Sequence, residues 1–454
     1  MRGPPAVIVL AAGDGSRMRS DLPKALHPVC GRPMLGHVLA AAAALSPARV
    51  VVVTTPADDA VRRASAPAGT CIQERPRGTG DATRAGLAAL GEAPGPVLVA
   101  CGDMPCITAD VLARLLDALP GDGDGLAVMG FREESENAYG RIVLDAEGAP
   151  ERIVEAREAD AEERAITLCN SGLMAASSAR LLAALIARIS ADNAKGEVYL
   201  TDAVALARAD GIPCAVTGGP AEALIGVNSR AELARAEGLM QARLRAAAMA
   251  AGATLIDPAT VYLSFDTALG RDVVIGPHVW FGPGVAVAEG AEIRPYCHIE
   301  GATIGPRAVI GPFARLRPGA TIGEDAHIGN FVEIKAARVE RGAKINHLSY
   351  VGDARVGADA NIGAGAITCN YDGFDKHATD IGAGAFIGSN VALVAPVVVG
   401  DGAVIGAGSV ITGDVPADAL AVARGAQKTL PGGGARYRAR KQAAGSGKVS
   451  GGKD

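Results

Sequence analysis

An apolar residue recurs every six positions between residues 274 and 411 of this 454-residue chain. Over such a length, a six-residue period fits neither the 3.6-residue period of an α-helix nor the two-residue period of a β-strand. It is typical of a parallel β-helix, in which each hexapeptide forms one flat side of a coil and the apolar side chain points into the prism. The recurring residues are Ile275, Phe281, Val287, Ile293, Ile299, Ile304, Ile310, Leu316, Ile322, Ile328, Ile334, Val339, Ile345, Val351, Val356, Ile362, Ile381, Ile387, Leu393, Val399, Ile405 and Ile411.

Glycine directly follows many of these apolar residues, and we expect it to help the backbone turn each corner of the coil. Three steps in the rhythm are one residue short, from 299 to 304, from 334 to 339 and from 351 to 356. One longer interruption, Cys369–Thr379, is expected to loop out of the prism. The C-terminal part is therefore predicted to be a parallel β-helix of hexapeptide repeats.

The N-terminal part, residues 6–228, alternates short apolar runs with alanine-rich segments. Short continuous apolar runs suit parallel strands that are buried on both faces. Strands and helices in alternation predict a doubly wound, Rossmann-like α/β sheet that binds ligands at the carboxyl ends of its strands. The predicted strands are Val7–Leu10, Val50–Val53, Val97–Ala100 and Leu126–Met129, and the predicted helices are His37–Leu45, Asp81–Leu90 and Thr108–Leu119.

A long helix separates the two parts. Ser229 and Glu232 have the spacing of a capping box at its start, and Gly252 ends it. The last residues are rich in Gly, Lys, Arg and Ala without a pattern, which is typical of a disordered segment. The expected organisation is an α/β domain over residues 1–228, a linker helix over 229–251, a β-helix domain over 252–430 and a disordered basic tail over 431–454.

Composition argues against several classes of protein. The net charge of −5 gives no reason to propose nucleic acid as a partner. No apolar run approaches the length of a membrane span, and we interpret the run Ala6–Ala12 as a buried strand and not as a signal peptide. The eight cysteines include no C-x-x-C pair, which favours reduced and mostly buried thiols in a cytoplasmic protein.

A glycine-rich loop follows the first predicted strand, between Leu10 and Met18. Small residues after a buried strand let backbone N–H groups approach a phosphate or a base. Met18 stands where a dinucleotide fingerprint has its third glycine, which disfavours a nicotinamide enzyme. Lys24 is suited to neutralising a triphosphate, and Asp103 follows an apolar strand where a Mg²⁺ bridging phosphates would lie. Asp103 alone could equally be a cap or turn residue, but the three segments together favour nucleotide chemistry.

Charged and polar side chains interrupt the otherwise plain β-helix. Arg315 and Arg317 place guanidinium groups on a rigid coil, which suits phosphate binding, and Lys335 adds a further cation. His347 is one of five histidines in this region, and a solvated surface role is the default for any single one of them. Acyl transfer to an amine needs a group that takes up a proton, and imidazole is the natural general base. The alternative without catalysis is that this region is a scaffold or a trimerisation module.

Several motifs together carry a resemblance. They are Leu10–Met18, Leu22–Lys24, Gln73 with Gly78–Gly80, Gly102–Asp103, Tyr139–Ile142, Ile153–Glu155, Asn170–Gly172, Gly196–Asp202 and Gly226–Asn228. The first of these look like the sugar-1-phosphate nucleotidyltransferases. With the hexapeptide region, the chain from residue 6 to about 430 resembles the bacterial bifunctional N-acetylglucosamine-1-phosphate uridylyltransferases and glucosamine-1-phosphate acetyltransferases.

For the N-terminal domain, the resemblance implies transfer of UMP from UTP to N-acetylglucosamine-1-phosphate with release of pyrophosphate. Such a reaction proceeds by positioning and charge neutralisation. Lys24 would act on the phosphates in the transition state, and Asp103 and Asn228 would bind Mg²⁺. Cys101 is a departure, since some relatives have tyrosine there, and we expect only its backbone or bulk to matter. The residues implied to bind UTP or UDP-N-acetylglucosamine are Leu10, Ala11, Ala12, Gly13, Lys24, Gln73, Gly78, Thr79, Gly140, Glu155, Asn170 and Asn228, with Gln73 and Gly78 near the base.

For the β-helix, the resemblance implies acetylation of glucosamine-1-phosphate by acetyl-CoA, with His347 as the general base. It also implies a left-handed coil and a homotrimer whose acetyltransferase sites are shared between subunits. The residues implied to bind glucosamine-1-phosphate are Arg317, Lys335, Tyr350 and Asn361. Those implied to bind acetyl-CoA are Ala364, Asn370, Tyr371, Ser389, Ala407 and Arg424.

Two other functions are weighed against this bifunctional enzyme. One is a sugar-1-phosphate nucleotidyltransferase with a single activity, whose β-helix is only structural or oligomerising. Such β-helices are typically shorter and lack the set Lys335, His347 and Asn370–Tyr371. The other is a non-enzymatic assembly subunit, which would be expected to have lost Lys24 or Asp103. The partners expected are small-molecule substrates, without nucleic acid or membrane.

Overall fold

The computed structural model describes residues 3–13, 15–121, 123–134, 137–193 and 196–445. The chain divides into two compact units. The first comprises the residues up to Leu269 together with Trp280–Val285, and the second comprises Gly270–Val279 and the residues from Ala286 onward. The boundary expected at residue 252 therefore falls inside the first unit, which includes the long helix and the segment after it.

The first unit is built on a nine-stranded mixed sheet. Its main path runs β11-β7-β10-β6-β1-β4-β5, and β8 pairs with both β10 and β9. The nine strands of this sheet are β1 Ala6–Leu10, β4 Arg49–Thr54, β5 Gly69–Ile72, β6 Val97–Cys101, β7 Leu126–Arg132, β8 Arg141–Leu144, β9 Pro150–Val154, β10 Leu168–Ala176 and β11 Cys214–Gly218. The strands β2 Pro28–Val29 and β3 Arg32–Pro33 pair with each other, and further short strands lie at Thr254–Leu255, Ala268–Leu269 and Trp280–Phe281.

The helices of this unit flank the sheet, and all predicted strands and helices are present with ends shifted by a few residues. Thr108, predicted as the first residue of a helix, is instead its N-cap, because its hydroxyl accepts a hydrogen bond from the N–H of Val111. The α-helices are α1 Met34–Ala43, α2 Asp59–Ala64, α3 Thr79–Leu90, α4 Ala109–Asp117, α5 Ala161–Arg164, α6 Ala179–Ile186, α7 Asp202–Ala209 and α8 Arg230–Ala250, and short 3₁₀ turns lie at Ser16–Met18, Lys24–Leu26, Ala221–Ala223 and Pro258–Thr260.

Strand β1 is apolar throughout because both of its faces are buried. Val7 and Val9 are packed into the core on one face of the sheet, while Ala6 and Ile8 are packed into the core on the other. Its neighbours β4 and β6 are both parallel to it, so their carboxyl ends meet at one edge. The antiparallel strand β10 lies between β6 and β7, which the alternating pattern did not predict.

Helix α8 packs against the other elements of the first unit. Ala236 and Met240 of this helix are buried against Val29, Met34 and Cys106. At its start, the hydroxyl of Ser229 accepts from the N–H of Glu232 as predicted, but the carboxylate of Glu232 bonds the N–H of Asn228. The capping arrangement therefore also fixes the backbone of Asn228, a predicted site residue.

The second unit is a parallel β-helix of three sheets, consistent with the left-handed hexapeptide coil. Within each sheet, every strand pairs in parallel with the strand one coil further along. Sheet I contains Val274–Ile275, Glu292–Ile293, Val309–Ile310, His327–Asn330, Lys344–His347, Asn361–Ile362, Phe386–Ile387, Val404–Ile405 and Leu420–Ala421; sheet II contains Ala286–Val287, Ala302–Ile304, Ala320–Ile322, Arg338–Val339, Ala354–Val356, Thr379–Ile381 and Val397–Val399; sheet III contains His298–Ile299, Arg315–Leu316, Glu333–Lys335, Tyr350–Gly352, Ile367–Cys369, Ala392–Val394 and Val410–Ile411.

The predicted six-residue rhythm is the core of this coil. Each recurring apolar residue is at most 5% exposed. A coil of three hexapeptides brings equivalent residues into register, so that Ile293 pairs with Ile310 and Ile310 with Ile328. The segment between Cys369 and Thr379 leaves the prism as predicted, with Phe374 91% exposed.

For most of the glycines that follow the recurring apolar residues, the physical reason differs from the one expected; Gly311, with a φ of +92°, is an exception. Gly305 and Gly357 do not have positive φ angles. A Cβ on Gly305 would lie 2.8 Å from the backbone N of Glu324, and one on Gly357 would lie 2.5 Å from the N of Ala383, each on the next coil. These glycines are needed because successive coils approach closely and not because the backbone turns there.

The predicted disordered tail begins with a helix, α9, over Gly433–Gly445. Its described side chains are nearly all exposed, so polar composition alone did not exclude helix. Residues 446–454 of the predicted tail lie outside the described residues. Among the helices that the structure describes, none is long and apolar enough to cross a membrane.

Candidate active sites

The glycine-rich loop and Lys24 lie together at the carboxyl end of β1. The carbonyl of Leu10 accepts from the N–H of Gly102, and the N–H of Ala11 donates to Val53, so the neighbouring strands fix the start of the loop. A Cβ on Gly13 would lie 3.9 Å from Nζ of Lys24. The predicted residues Ala11 and Ala12 are buried there, while Asp14 of the motif lies outside the described residues.

Lys24 joins the two predicted Mg²⁺ ligands. Its Nζ lies 2.5 Å from Oδ2 of Asp103 and 3.0 Å from Oδ1 of Asn228. Asp103 also accepts, through its backbone carbonyl, from the N–H of Val227 at 2.9 Å. Both oxygens thus converge on one cation although they are 125 residues apart in the chain. A carboxylate oxygen and an amide oxygen are also ligand types that suit a hard divalent ion, so the residues present fit the predicted Mg²⁺ site.

A cavity of about 220 Å³ holds the residues predicted to bind the sugar. The carbonyl of Gly140 accepts from the N–H of Asn170 at 2.8 Å, and the carboxylate of Glu155 accepts from the hydroxyl of Thr201 at 3.3 Å. The lining comprises Leu10, Thr79, Cys101, Ala138, Tyr139, Gly140, Glu155, Asn170, Ser171, Gly172, Leu173, Met174, Leu200 and Thr201.

Cys101 is therefore part of the cavity wall. Burial raises the pKa of its thiol to about 12, so the sulfur is a neutral, inert group. A Cβ on Gly172, whose φ is +86°, would lie 3.4 Å from this sulfur. The expectation that Cys101 matters through its bulk remains a prediction.

The residues expected near the base lie outside the lining of this cavity, although Thr79 of the same turn belongs to it. The side chain of Gln73 is buried, and its Nε2 lies 3.3 Å from the carbonyl of Gly78 and 3.0 Å from Oδ2 of Asp81. Gly78 is the N-cap of α3 with a φ of +98°, and a Cβ there would lie 2.6 Å from the carbonyl of Val198. Only glycine fits this position.

The motif Gly196–Asp202, which carried resemblance but no predicted role, supports this turn. The carbonyl of Val198 accepts from the N–H of Gly80, and the hydroxyl of Thr79 accepts from the N–H of Leu200. Thr79 is thereby held between the turn and the cavity.

On the β-helix, Arg317 and Lys335 each form an ion pair with a carboxylate. Arg317 bonds Glu333 at 2.9 Å, and Lys335 lies 3.5 Å from Asp353. The predicted residue Asn370 donates to the same carboxylate of Asp353. Tyr350 lies on the next coil, in register with Glu333, the partner of Arg317. The structure therefore brings together Arg317, Lys335, Tyr350 and Asn370.

Lys376 belongs to this cluster, although the sequence did not single it out. It lies in the loop that leaves the prism, against the side chain of Lys335. The hydrogen bond with Lys335 and its like charge lower the pKa of Lys376. Two adjacent ammonium groups repel, so an anion between them would relieve that repulsion.

The same loop is organised by Asp372. Its carboxylate accepts from the N–H groups of Phe374 and Asp375 and bonds Nε2 of His377 at 2.9 Å. These bonds lower the pKa of Asp372 to about 2. Tyr371, predicted to bind acetyl-CoA, is exposed and donates its hydroxyl to Gly373.

His347 is exposed at the end of its strand in sheet I. Its Nδ1 lies 2.8 Å from Oδ1 of Asn330, the equivalent residue of the preceding coil. The amide oxygen can only accept, so Nδ1 carries the proton, and in the neutral imidazole Nε2 then keeps a lone pair.

Four of the six residues predicted to bind acetyl-CoA continue the same column along the coil. The carbonyl of His347 accepts from the N–H of Gly365, beside Ala364. On later coils, the carbonyl of Ala364 accepts from Asn390 and that of Ser389 from Gly408. Finally, the guanidinium of Arg424 donates to the carbonyl of Ala407. Ala364, Ser389, Ala407 and Arg424 thus form one exposed edge beyond His347.

Asn361 does not join the other residues predicted to bind glucosamine-1-phosphate. It lies in sheet I in register with Lys344, at the beginning of its strand, whereas Lys335 and Tyr350 lie in sheet III. One chain therefore supplies three of the four predicted residues at one place.

An aromatic ridge runs beside His347. His278, Tyr296, Phe313 and Phe331 stack on successive coils with ring centroids 4.9, 4.9 and 5.2 Å apart. Leu348, next to His347, occupies the following coil and is 62% exposed. All five residues have positive φ, so they occupy one corner of the coil.

Comparison with known proteins covers nearly the whole chain. The MobA-like NTP transferase domain matches residues 7–199, and the bacterial transferase hexapeptide matches residues 301–336 and 378–413. The bifunctional protein GlmU of Paramagnetospirillum magneticum is 58% identical over 96% of this chain and 97% of its own length. GlmU of Rhodospirillum rubrum is 56% identical over 96% of this chain and 97% of its own, and GlmU of Acidiphilium cryptum is 55% identical over 95% and 98%.

The chain belongs to the GlmU family. The predicted fold class and the predicted bifunctional transferase are confirmed. The relatives match both units, so the alternative of a purely structural β-helix loses its support. Asp81, Asn330 and Lys376 are the site neighbours that sequence reasoning missed. The coil period could have revealed Asn330, because it precedes His347 by one coil of 17 residues.

Proposed function

We propose that this chain makes UDP-N-acetylglucosamine in two steps at the two clusters described above. It is a bifunctional enzyme, a glucosamine-1-phosphate acetyltransferase and an N-acetylglucosamine-1-phosphate uridylyltransferase. The β-helix acetylates the amine first, and the α/β unit then attaches UMP. The observation that carries the second step is Lys24, whose ammonium is shared between Asp103 and Asn228.

In the uridylyl transfer, a phosphate oxygen of N-acetylglucosamine-1-phosphate attacks the α-phosphorus of UTP. The bond between the α-phosphorus and its bridging oxygen breaks, and pyrophosphate leaves with the electron pair. Lys24 neutralises charge that develops on the phosphates. When bound by Asp103 and Asn228, Mg²⁺ would supply further positive charge to the triphosphate. Gly140, Glu155 and Asn170 orient the sugar in the cavity.

In the acetyl transfer, the amine of glucosamine-1-phosphate attacks the thioester carbonyl of acetyl-CoA. His347 takes the amine proton on Nε2, while Asn330 holds Nδ1. The carbon–sulfur bond breaks, and the thiolate of CoA leaves and is protonated. Arg317, Lys335 and Lys376 provide the cations that would hold the sugar phosphate. The column from Ala364 to Arg424 provides the edge along which CoA would lie.

We also propose that the active molecule is a homotrimer in which a second copy covers the aromatic ridge. Three rings that are each about half exposed, Tyr296, Phe313 and Phe331, form a continuous apolar surface, which is typical of an interface. The ridge borders His347, and the site is incomplete in one chain because Asn361 lies apart. A second copy at the ridge would supply the missing residue.

The order of the two steps gives a direct test. Purified protein is incubated with glucosamine-1-phosphate, UTP and Mg²⁺, with or without acetyl-CoA, and the products are separated by chromatography. UDP-N-acetylglucosamine should form only with acetyl-CoA. Accumulation of UDP-glucosamine without acetyl-CoA at a comparable rate would show that acetylation does not come first.

A further inference from the structure

Asp81 lies at the buried end of the nucleotide site, and nothing in the proposed mechanism uses it. It is 6% exposed and lies in the first turn of α3, three residues after the N-cap Gly78. Its Oδ1 pairs with the guanidinium groups of Arg84 and Arg77, which are both about half exposed. Its Oδ2 has another partner, Nε2 of Gln73, at 3.0 Å.

The chemistry of these contacts fixes the orientation of the Gln73 amide. A carboxylate oxygen can only accept a hydrogen bond, and so can the carbonyl of Gly78, which lies 3.3 Å from the same nitrogen. Both acceptors therefore select the amino group of Gln73. If the amide were rotated by half a turn, its oxygen would face two other oxygens in a buried place, which is costly.

The amide oxygen of Gln73 is left for another partner. Among the described residues, none donates a hydrogen bond to this oxygen. The backbone of Gln73 is held in place just beyond the end of β5, because its N–H donates to the carbonyl of Thr54 at 2.8 Å. The site thus presents a pre-oriented acceptor on a largely buried side chain.

We propose that Asp81 is a positioning residue that sets this acceptor and thereby makes the uridylyltransferase site selective for uracil over cytosine. The inference rests on the proposed function and on the expectation that the base lies near Gln73. Uracil carries a donor, N3–H, between two carbonyl groups, and an acceptor on the protein matches it. Cytosine has a lone pair at N3 instead, so its ring nitrogen and the amide oxygen would repel each other.

The variant Asp81→Asn tests this assignment. Asparagine presents an amino group as well as a carbonyl, so it can pair with either orientation of the Gln73 amide. The ratio of kcat/KM for UTP to that for CTP should fall on the order of tenfold or more, the usual worth of one directed contact to a base edge. The change should appear mainly in KM for UTP, since Asp81 does not touch the reacting phosphates.

Arg84→Gln is the matched control, because it removes an ion-pair partner of Asp81 but leaves the contact with Gln73 intact. It should keep the native UTP to CTP ratio. The double variant Asp81→Asn with Arg84→Gln avoids an unpaired guanidinium and replaces the single variant if that protein folds poorly. It should show the same loss of selectivity. Limited proteolysis of the same samples compares the folding of the first unit in each variant with that in the native chain.

The outcomes are distinct. If the native chain releases no pyrophosphate from UTP, the proposed function itself is wrong. If the native chain uses UTP and both Asp81 variants lower kcat/KM for UTP and CTP equally, Asp81 only stabilises the helix and the inference is overturned. A fall in selectivity in both Asp81 variants, with the native ratio in Arg84→Gln, supports it.

Discussion

Asn330 lies one coil before His347, and its side-chain oxygen is 2.8 Å from Nδ1 of that histidine. This contact holds the imidazole in the tautomer whose Nε2 can take a proton. It therefore links the repeat of the coil to the chemistry proposed for the β-helix.

Replacing His347 by alanine should lower acetyl transfer about 10²- to 10⁴-fold, the usual worth of a positioned general base. Asn330→Ala should lower it less, roughly tenfold, because the imidazole remains but loses its orientation. The rate of CoA release with glucosamine-1-phosphate measures both. His298→Ala, on a coil without the predicted motifs, should be nearly neutral. A native rate in His347→Ala would rule out the proposed base even if the reaction is right.

Placing a charge on the aromatic ridge should separate the subunits. In Phe313→Asp, a carboxylate would be buried without a partner at the proposed interface, which costs several kcal/mol, about enough to dissociate a trimer at micromolar concentration. Light scattering should then report a monomer, with CoA release lost and pyrophosphate release kept. Phe313→Leu, which keeps the apolar surface, should remain trimeric. A trimeric Phe313→Asp protein would place the interface elsewhere.

A fragment of residues 1–269 should be a monomeric uridylyltransferase. The first unit has its own core and includes the segment after α8. A fragment of residues 1–251 should be less stable by about 1–3 kcal/mol, because the buried side chain of Gln241 loses both hydrogen bonds to the backbone of Leu263. Urea unfolding of the two fragments compares them directly. Equal stability would show that this segment contributes nothing to the first unit.

The stability of the first unit should fall between pH 7.5 and pH 5.5, in part because of His27. Burial, and then the nearby charge of Arg230, lower the pKa of His27 below its ordinary value of 6.5. The unfolded chain therefore takes up a proton more readily than the folded one, and stability is lost as the pH drops below 6.5. His27→Gln keeps an acceptor for Arg230 but does not titrate. Its melting temperature, measured on the 1–269 fragment, should fall less over this range, and an identical fall would exclude His27 as a contributor.

The sequence predicted the β-helix in detail because every coil must bury an apolar residue on each side, which imposes the period residue by residue. It predicted the parallel strands of the α/β unit for a similar reason. The antiparallel β10 was missed because an apolar strand carries no mark of its direction. The sugar cavity depends on this strand, since Asn170–Met174 line it.

Contacts between residues far apart in the chain are the second kind of feature that the sequence did not predict. Lys24 and Asp103 could be assigned by motif, but the pairing of Asp81 with Gln73 depends on how α3 packs beside β5. Lys376 was missed because its loop folds back onto Lys335 only through the bonds made by Asp372. The position of Asn361 in sheet I could have been derived from the register of the hexapeptide repeat. It places Asn361 apart from the other three residues predicted to bind glucosamine-1-phosphate.

The central claim is that the chain has two independent active sites, and the most direct measurement is a pair of assays on Asp103→Ala. Pyrophosphate release with UTP and N-acetylglucosamine-1-phosphate should be abolished, because Lys24 loses its carboxylate partner and the proposed Mg²⁺ site loses a ligand. CoA release with acetyl-CoA and glucosamine-1-phosphate should stay near the native rate, as it should in the exposed control Asp110→Ala. Loss of both activities in an Asp103→Ala protein that remains folded and keeps the native oligomeric state would contradict the account.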